Sequence, residues 1–431
     1  RPEHEQTLAD LRAAGRPLPH PLSRELEELR SSGGGGTERE KALAARIERE
    51  RDFDFGDDTE SKWWHDTLRD LIVGLDRLTL DDPHGRTVSS VEQRLASART
   101  LEERSIGAHL EDWDAVIEAI GDRERSPEYA GLPLKEQLGL APLGRDPDSG
   151  LFEFWHVSSG ERPPRGAQGK LQLEVDSGIV LVLVPGGTFL MGAQASNPEQ
   201  RRYDPAATPA ESTRAGQPVE MRLDSFFLSK FELTQGQWMR LFGENPSFWN
   251  PEYRPGWITP LHPVEQVSWE ECLQAARRLD LALPTEAQWE YACRAGSGTR
   301  WSMGEEAEDL VLCCNLKDQD YLDRFDNPGE VEAWADGFPY HAPVGSLQPN
   351  RFGFHDMHGN VWEWCLDGYG LYDRPGRPGD GAREPERAKD RVSRGGGFDD
   401  LADFVRSSIR FGAVPSGRDG NLGVRLARDV R

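Results

Sequence analysis

Cysteine is scarce: five in 431 residues (Cys272, Cys293, Cys313, Cys314 and Cys365), an odd number with no Cys-x-x-Cys pair. This excludes a disulfide framework and a cysteine-built structural zinc site, and it points to a reducing, cytoplasmic compartment. The adjacent Cys313 and Cys314 read as buried thiols, because neighbouring positions strain a disulfide. Long apolar runs are missing too. The longest, Ile179 to Val184, falls far short of the roughly 20 residues a membrane-crossing helix needs, so no membrane span is expected. Basic charge is in deficit, with 51 Lys and Arg against 75 Asp and Glu and a net charge of −24. Such a chain repels phosphate backbones and anionic lipid, which argues against nucleic acid and membrane surfaces and favours cations or basic partners. There is no initiator Met and no charged-then-apolar leader, as in a fragment or a processed form.

What is abundant is glycine and proline, 45 and 30 residues, the composition of a loop-rich globular protein. Residues 1–125 read as a helical stalk or small helical bundle. Leu26 and Leu29 lie in a charged stretch, Ser31–Gly36 is a flexible break, and Thr37 is positioned to cap the next helix. Trp64, Leu68, Leu71, Leu75 and Leu78 alternate in spacings of four and three, which puts them on one helix face. Val91, Leu95, Ala98 and Leu101 supply a second helix, and Leu110, Trp113, Val116, Ile117 and Ile120 a third. The three suggest an antiparallel helical unit, with a coiled-coil dimer as the alternative.

Residues 126–177 form a connector. Leu140, Leu143, Leu151, Phe152, Phe154 and Trp155 are too apolar to stay solvated, so it packs along the domain that follows, 178–431. That domain opens with the strand Ile179–Val184 and the turn Pro185-Gly-Gly187. Trp269–Leu279 reads as a helix with Ser268 and Glu271 as a capping box, and Thr285–Arg294 as another with Pro284 before it. The remainder lacks periodicity, so something other than hydrogen-bond ladders must fix its loops, and bound metal is the first candidate.

Seven motifs follow in order: Val184-Pro-Gly-Gly-Thr-Phe-Leu-Met-Gly192, Glu232-Leu-Thr-Gln235 with Trp238, His262-Pro-Val-Glu-Gln-Val-Ser-Trp269, Leu283-Pro-Thr-Glu-Ala-Gln-Trp-Glu-Tyr-Ala292, Gly359-Asn-Val-Trp-Glu-Trp364, Arg394-Gly-Gly-Gly397 and Asn421-Leu-Gly-Val-Arg425. Together they resemble the formylglycine-generating enzyme, or sulfatase-modifying factor, family over about 178–431. The resemblance implies an α+β, C-type-lectin-like fold with little regular secondary structure, here preceded by the helical stalk. It also implies one or two structural calcium ions. The first matches the Asn315 side chain, the Leu316 carbonyl, Asp336 and the Phe338 carbonyl. The second matches Asp356, the carbonyls of Gly359 and Val361, and the Glu363 carboxylate. Oxygen-only sets of this kind suit a hard cation.

The family's chemistry does not carry over. Its oxidase uses two cysteines a few residues beyond the Arg-Gly-Gly motif to bind copper. Here Asp400 stands at the first position, Ala402 or Val405 at the second, and no cysteine follows Cys365. Carboxylates are poor ligands for soft Cu(I), so no copper is expected. Iron-dependent relatives need a His/His/Glu set; His65 and His109 sit in helices without the matching spacing, so no iron is expected either. His341, His355 and His358 read as packing or hydrogen-bonding residues.

From Gly395 to Arg428 the chain has no Lys, Glu, Gln, Met or Trp, although it holds 13 Trp elsewhere. Phe398, Asp399, Asp400, Asp403, Phe404, Phe411, Gly412, Val414, Ser416, Gly417, Asp419 and Gly420 are threaded through a frame of Arg394, Arg406, Ser407, Arg410, Pro415, Arg418, Leu422, Gly423 and Arg425. This is similar to the variable region of diversity-generating-retroelement proteins, whose randomised codons omit those five residues. It implies a hypervariable face that binds a protein or other ligand. The lead-in, Tyr129-Ala-Gly-Leu and Gly150-Leu-Phe-Glu-Phe-Trp155, resembles the segment before this domain in bacterial Ser/Thr-kinase fusions. No kinase motif occurs in the chain, so a kinase or effector region would precede Arg1. The sequence therefore reads as a binding module, with a kinase sensor module, or an oxidoreductase using non-standard residues such as Asp400 and His341, as the alternatives.

Overall fold

The structure, a computed structural model, describes residues 2–31, 37–78, 87–325, 329–384 and 388–431. Most of the Ser31–Gly36 break lies outside the described residues. Two units separate at Ala96/Ser97.

The first unit holds helices α1 (Pro2–Ala14), α2 (Ser23–Ser31), α3 (Glu38–Glu50) and α4 (Thr59–Leu78), with β1 (Arg16–Pro17) paired antiparallel to β2 (Phe53–Asp54). Thr37 caps α3 as its hydroxyl accepts the Glu40 N–H. The long apolar face expected for α4 is divided. Leu68 and Ile72 are buried against Leu8 and Leu11 of α1, while Trp64, Leu71 and Leu78 remain exposed. A series spaced by four and three drifts around a helix of 3.6 residues per turn, and α1 covers only one side of it.

In the second unit α5 (Val88–Arg99), begun in the first, leads to the short α6 (Leu101–Ser105) and then α7 (Leu110–Gly121). Val91 and Leu95 of α5 are exposed, and α7 turns its apolar face onto a sheet. Trp113 on α7 is fully buried 5.5 Å from the Phe154 ring and donates its indole N–H to the Ser105 carbonyl.

The connector supplies two strands of that sheet. β3 (Leu140–Arg145) and β4 (Phe152–His156) pair as a hairpin, and β4 continues onto β5 (Val180–Val184), the apolar run noted in the sequence. β8 (Phe226–Ser229) and β13 (Ala427–Asp429) complete the order β13-β8-β5-β4-β3, antiparallel throughout. β5 is buried on both faces, which explains its unbroken β-branched and leucine sequence. A smaller sheet has the order β11-β10-β9-β12, formed by β11 (Phe411–Ala413), β10 (Arg391–Arg394), β9 (Trp362–Gly368) and β12 (Leu422–Gly423). A separate hairpin joins β6 (Gly187–Met191) to β7 (Val219–Leu223).

Three capped helices pack beside these sheets: α8 (Gln235–Phe242), α9 (Trp269–Arg278) and α10 (Glu286–Arg294). Ser268 and Glu271 form the reciprocal capping box read from the sequence; Thr285 and Gln288 form another, and Thr234 and Gln237 a third.

What fixes the irregular loops is largely buried arginine. Glu286, at the start of α10, receives Arg410 at 2.6 and 2.7 Å and Arg383 at 3.2 Å, and Arg394 lies 3.8 Å away. Arg394 also reaches Glu290 at 2.5 Å and the Ser407 and Ser408 carbonyls at 2.9 and 2.8 Å. These charges are affordable in the interior only because each guanidinium fork is matched by carboxylates and carbonyls.

Candidate ligand-binding face and cation site

β10 ends at Arg394, and the chain then turns through Gly395 and Gly396 at positive φ. A Cβ on Gly396 would lie 2.4 Å from Val405 Cγ1 and 2.9 Å from the Phe404 carbonyl, so only glycine admits this close return. Residues 397–421 then run across one surface, and their two classes of side chain separate physically.

The frame is inside. Arg394, Arg406, Ser407, Arg410, Leu422, Gly423 and Arg425 are buried, while Pro415 is half-buried and Arg418 is exposed. Arg406 donates to Asp204 at 2.6 Å and to both Glu211 oxygens at 2.9 and 3.1 Å, and its Nε donates to the Asp403 carbonyl at 2.8 Å. Arg410 donates to the Gly370 and Ala210 carbonyls besides Glu286.

Most threaded residues are outside. Phe404, Phe411 and Val414 are 53, 61 and 54 % exposed. Asp403, Ser416 and Asp419 are exposed, and Asp399, Asp400, Gly412, Gly417 and Gly420 are half-buried. Phe398 departs from the expectation of a contact residue. It is 3 % exposed, its ring lying 6.0 Å from Trp249, 6.1 Å from Tyr321 and 5.8 Å from His341. It is a core aromatic, drawn inward by that cage, and it supports the face from below.

A groove of about 680 Å³ opens between the threaded segments. Asp400 lies in it, its Oδ2 accepting the Trp362 indole N–H at 2.8 Å and the Gly397 N–H at 2.9 Å. Burial first, then the Asp399 charge, pushes its carboxyl up to about 6. Thr208, Trp362, Tyr369 and Ile409 also line the groove. These were not singled out in the sequence; Trp362 alone had a signal, its place in Gly-Asn-Val-Trp-Glu-Trp.

The residues of the first expected calcium set lie together, with Leu316 turning its N–H, not the expected carbonyl, to Asp336. Asn315 Nδ2 lies 3.3 and 3.4 Å from the Asp336 oxygens and 3.1 Å from the Phe338 carbonyl, and the Leu316 N–H donates to Asp336 at 2.9 Å. Asn315 is buried and its Oδ1 has no partner. Exchanging the two amide ends would aim a further oxygen at this set, an arrangement that suits a hard cation. Burial, then Asp318, lifts Asp336 to about 7. Asp318 and Asp320, which the sequence reading missed, place carboxylate oxygens within 4.8 Å of it. Their signal was the Asp-x-Asp spacing just beyond Asn315.

The second set is less free. Both Glu363 oxygens are held by Arg425 at 2.8 to 3.1 Å, and Trp289 donates to one at 2.7 Å. Asp356 keeps one unpartnered buried oxygen and is pushed up to about 6, first by burial. Buried Glu232, which accepts the Asn360 side-chain and Val361 backbone N–H groups, is raised well above its usual range by burial and by Asp356 and Glu363. The parallel bridge between Asn315 and Gly359 joins the two sets.

His355 and His358 are engaged by backbone carbonyls. His355 Nδ1 pairs with the Leu347 carbonyl at 2.7 Å, and His358 Nδ1 with the Val405 carbonyl at 2.6 Å. His341 is buried with neither ring nitrogen hydrogen-bonded, its Nε2 lying 3.9 Å from Glu265. His65 packs between Phe53 and Phe55, and His109 stands edge-on to Trp155. All five cysteines are free and buried.

Residues 172–430 match the family model described as a sulfatase-modifying factor enzyme 1-like domain. The chain belongs to this family. Its fold is accordingly the α+β, C-type-lectin-like one, with helices added in front. The formylglycine-generating enzyme of Streptomyces coelicolor is 37 % identical over 176 residues, 40 % of this chain and 54 % of that one. The aligned part thus spans about half of that enzyme. The serine/threonine-protein kinase pkn1 of Chlamydia caviae is 28 % identical over 275 residues, 58 % of this chain and 38 % of the kinase. Among solved structures, Treponema denticola variable protein 1 is 22 % identical with a TM-score of 0.46, covering 60 % of this chain and 98 % of that chain. Among the described residues, no helix is long and apolar enough to cross a membrane.

Proposed function

We propose that this chain is a ligand-binding module: a family scaffold, braced by a structural calcium ion, that displays the segments 399–404 and 411–420 to a partner. The partition of those segments carries the reading. Four of the frame arginines, Arg394, Arg406, Arg410 and Arg425, are buried and charge-paired, whereas the residues threaded between them are mostly exposed or half-exposed, so contact residues change without disturbing the loop path. Asn315, Leu316, Asp336 and Phe338 would hold the ion, with Asp318 and Asp320 beside them; the second set has a weaker case because Arg425 already neutralises Glu363. Calcium there would tie the segment around 315–338 to the Gly359 loop.

The copper oxidase chemistry of formylglycine generation is not part of this proposal. Asp400 and Ala402 or Val405 stand where that chemistry needs thiolates, and Asp400 is held by Trp362 and Gly397. A test is to sequence the codons for Gly395–Arg428 across the source population. Substitutions confined to the exposed threaded positions support a diversified binder. Substitutions spread evenly over frame and threaded positions overturn the reading. A single fixed sequence favours a second reading, a sensor module with one partner, which the similarity to a kinase supports.

A further inference from the structure

The groove's walls and its charges make different demands on an occupant. Trp362, Tyr369, Ile409, Phe411 and Leu422 offer it apolar surface. Two cations line it, and both are committed elsewhere: Arg410 is buried on Glu286, and Arg418 reaches Glu271 at 2.6 Å. Two carboxylates line it without a cationic partner. Among the described residues Asp419 is exposed and makes no side-chain hydrogen bond or ion pair, and the Asp400 carboxylate accepts only from Trp362 and Gly397. Asp399 behind them is held by Asn421 at 2.8 Å, and Lys317, the cation facing Asp399 and Asp400, forms no ion pair. The groove is thus apolar in its walls and carries two carboxylates that form no ion pair, Lys317 acting on Asp400 from beyond ion-pair distance, on a chain of net charge −24.

We infer that the groove takes a segment of a protein partner in which a lysine or arginine is flanked by apolar residues, with the cation placed between Asp400 and Asp419. This rests on the binding-module reading and adds the chemistry of the occupant. A volume of about 680 Å³ exceeds one side chain and falls within the range of sites for small ligands and short peptide segments. An apolar stem covers the aromatic wall while the charged head reaches the carboxylates, the division of labour that long basic side chains allow. An anionic segment is repelled by the same pair, so the charges act on selectivity as well as affinity.

The test uses the full chain and three capped tripeptides, Leu-Lys-Leu, Leu-Gln-Leu and Leu-Glu-Leu. Affinity is read by calorimetry and by the Trp362 indole N–H resonance, assigned through Trp362→Phe; this proton sits on Asp400 and reports the groove directly. The lysine peptide is expected to bind at least about fivefold more tightly than the glutamate peptide, the ratio for partly exposed charge pairs. In Asp400→Asn/Asp419→Asn the three peptides should converge to within about twofold. Asp419→Asn alone, at a carboxylate with no partner in the fold, should remove part of the preference without risk to folding. Equal or tighter binding of the glutamate peptide, or a preference that survives the double substitution, overturns the inference while leaving a binding face in place. Failure of all three peptides to shift the indole resonance at millimolar concentration also overturns it, and the codon survey then decides the wider reading alone.

Discussion

Arginine 406 is where the distinction between frame and display can be measured. Truncating it in Arg406→Ala leaves buried Glu211 without its guanidinium and buried Asp204 with Arg300 alone at 3.1 Å, and frees the Asp403 carbonyl from its donor. Breaking a buried pair by removing one partner costs about 3–5 kcal/mol, because a desolvated charge is left behind. Glu211 Oε2 retains the Ser408 hydroxyl at 2.6 Å, which favours the lower half of that range. For a unit of this size each kcal/mol moves Tm by roughly 2–4 °C, so a fall on the order of 5–15 °C is expected in calorimetry. Phe411→Ser, at a side chain 61 % exposed, should change stability by no more than about 0.5 kcal/mol. Adding Glu211→Gln and Asp204→Asn to Arg406→Ala should recover much of the loss, since no charge is then stranded. A fall below about 2 °C for Arg406→Ala, or an equal fall for Phe411→Ser, would refute the idea that loop path and displayed residues are separately encoded.

Phe398→Ala should cost about 3–5 kcal/mol, in contrast to Phe411, because it empties a buried aromatic cage; a change under about 1 kcal/mol would return Phe398 to the displayed set. Chelation should lower Tm, and by more at pH 8 than at pH 5. Asp336 rises to about 7 on folding, so its contribution without an ion is intact below the unfolded carboxyl range and lost as pH climbs through about 7; calcium, which holds the ionised form, removes that loss. Asp356, pushed up to about 6, acts in the same direction. Differential scanning fluorimetry with calcium or EGTA at the two pH values decides it, and a chelator effect that is absent or independent of pH would count against the ion. With copper and a cysteine peptide, an oxygen electrode should record no uptake above buffer; sustained, enzyme-dependent uptake would revive the oxidase reading.

Local chemistry was legible in the sequence wherever a few adjacent residues decide the outcome. The box at Ser268, the cap at Thr37, the buried strand ending at Val184 and the glycines after Arg394 all have near-neighbour causes. Convergence of Asn315, Asp336 and Phe338 followed from the resemblance, not from spacing alone. What was hidden depends on partners far along the chain. Trp113 read as one stripe among three helices, and nothing near it signals that Phe154 will take it. Phe398 sits beside two aspartates and looks displayed; its burial comes from Trp249 and Tyr321. Glu211 and Arg406 lie 195 positions apart, so the clamp that fixes the face has no local signature.

The lead-in hairpin changes what counts as the portable piece of this protein. Family similarity begins at residue 172, yet β4 is hydrogen-bonded along β5 and β3 along β4, both upstream of that point. A clone cut at the similarity boundary would leave β5 as a bare, strongly apolar edge, the kind of surface that pairs with another molecule instead of its own chain. Transplanting the face onto another protein would therefore mean carrying the residues from Ser97 onward, and insoluble product from a shorter clone would say nothing about the face itself.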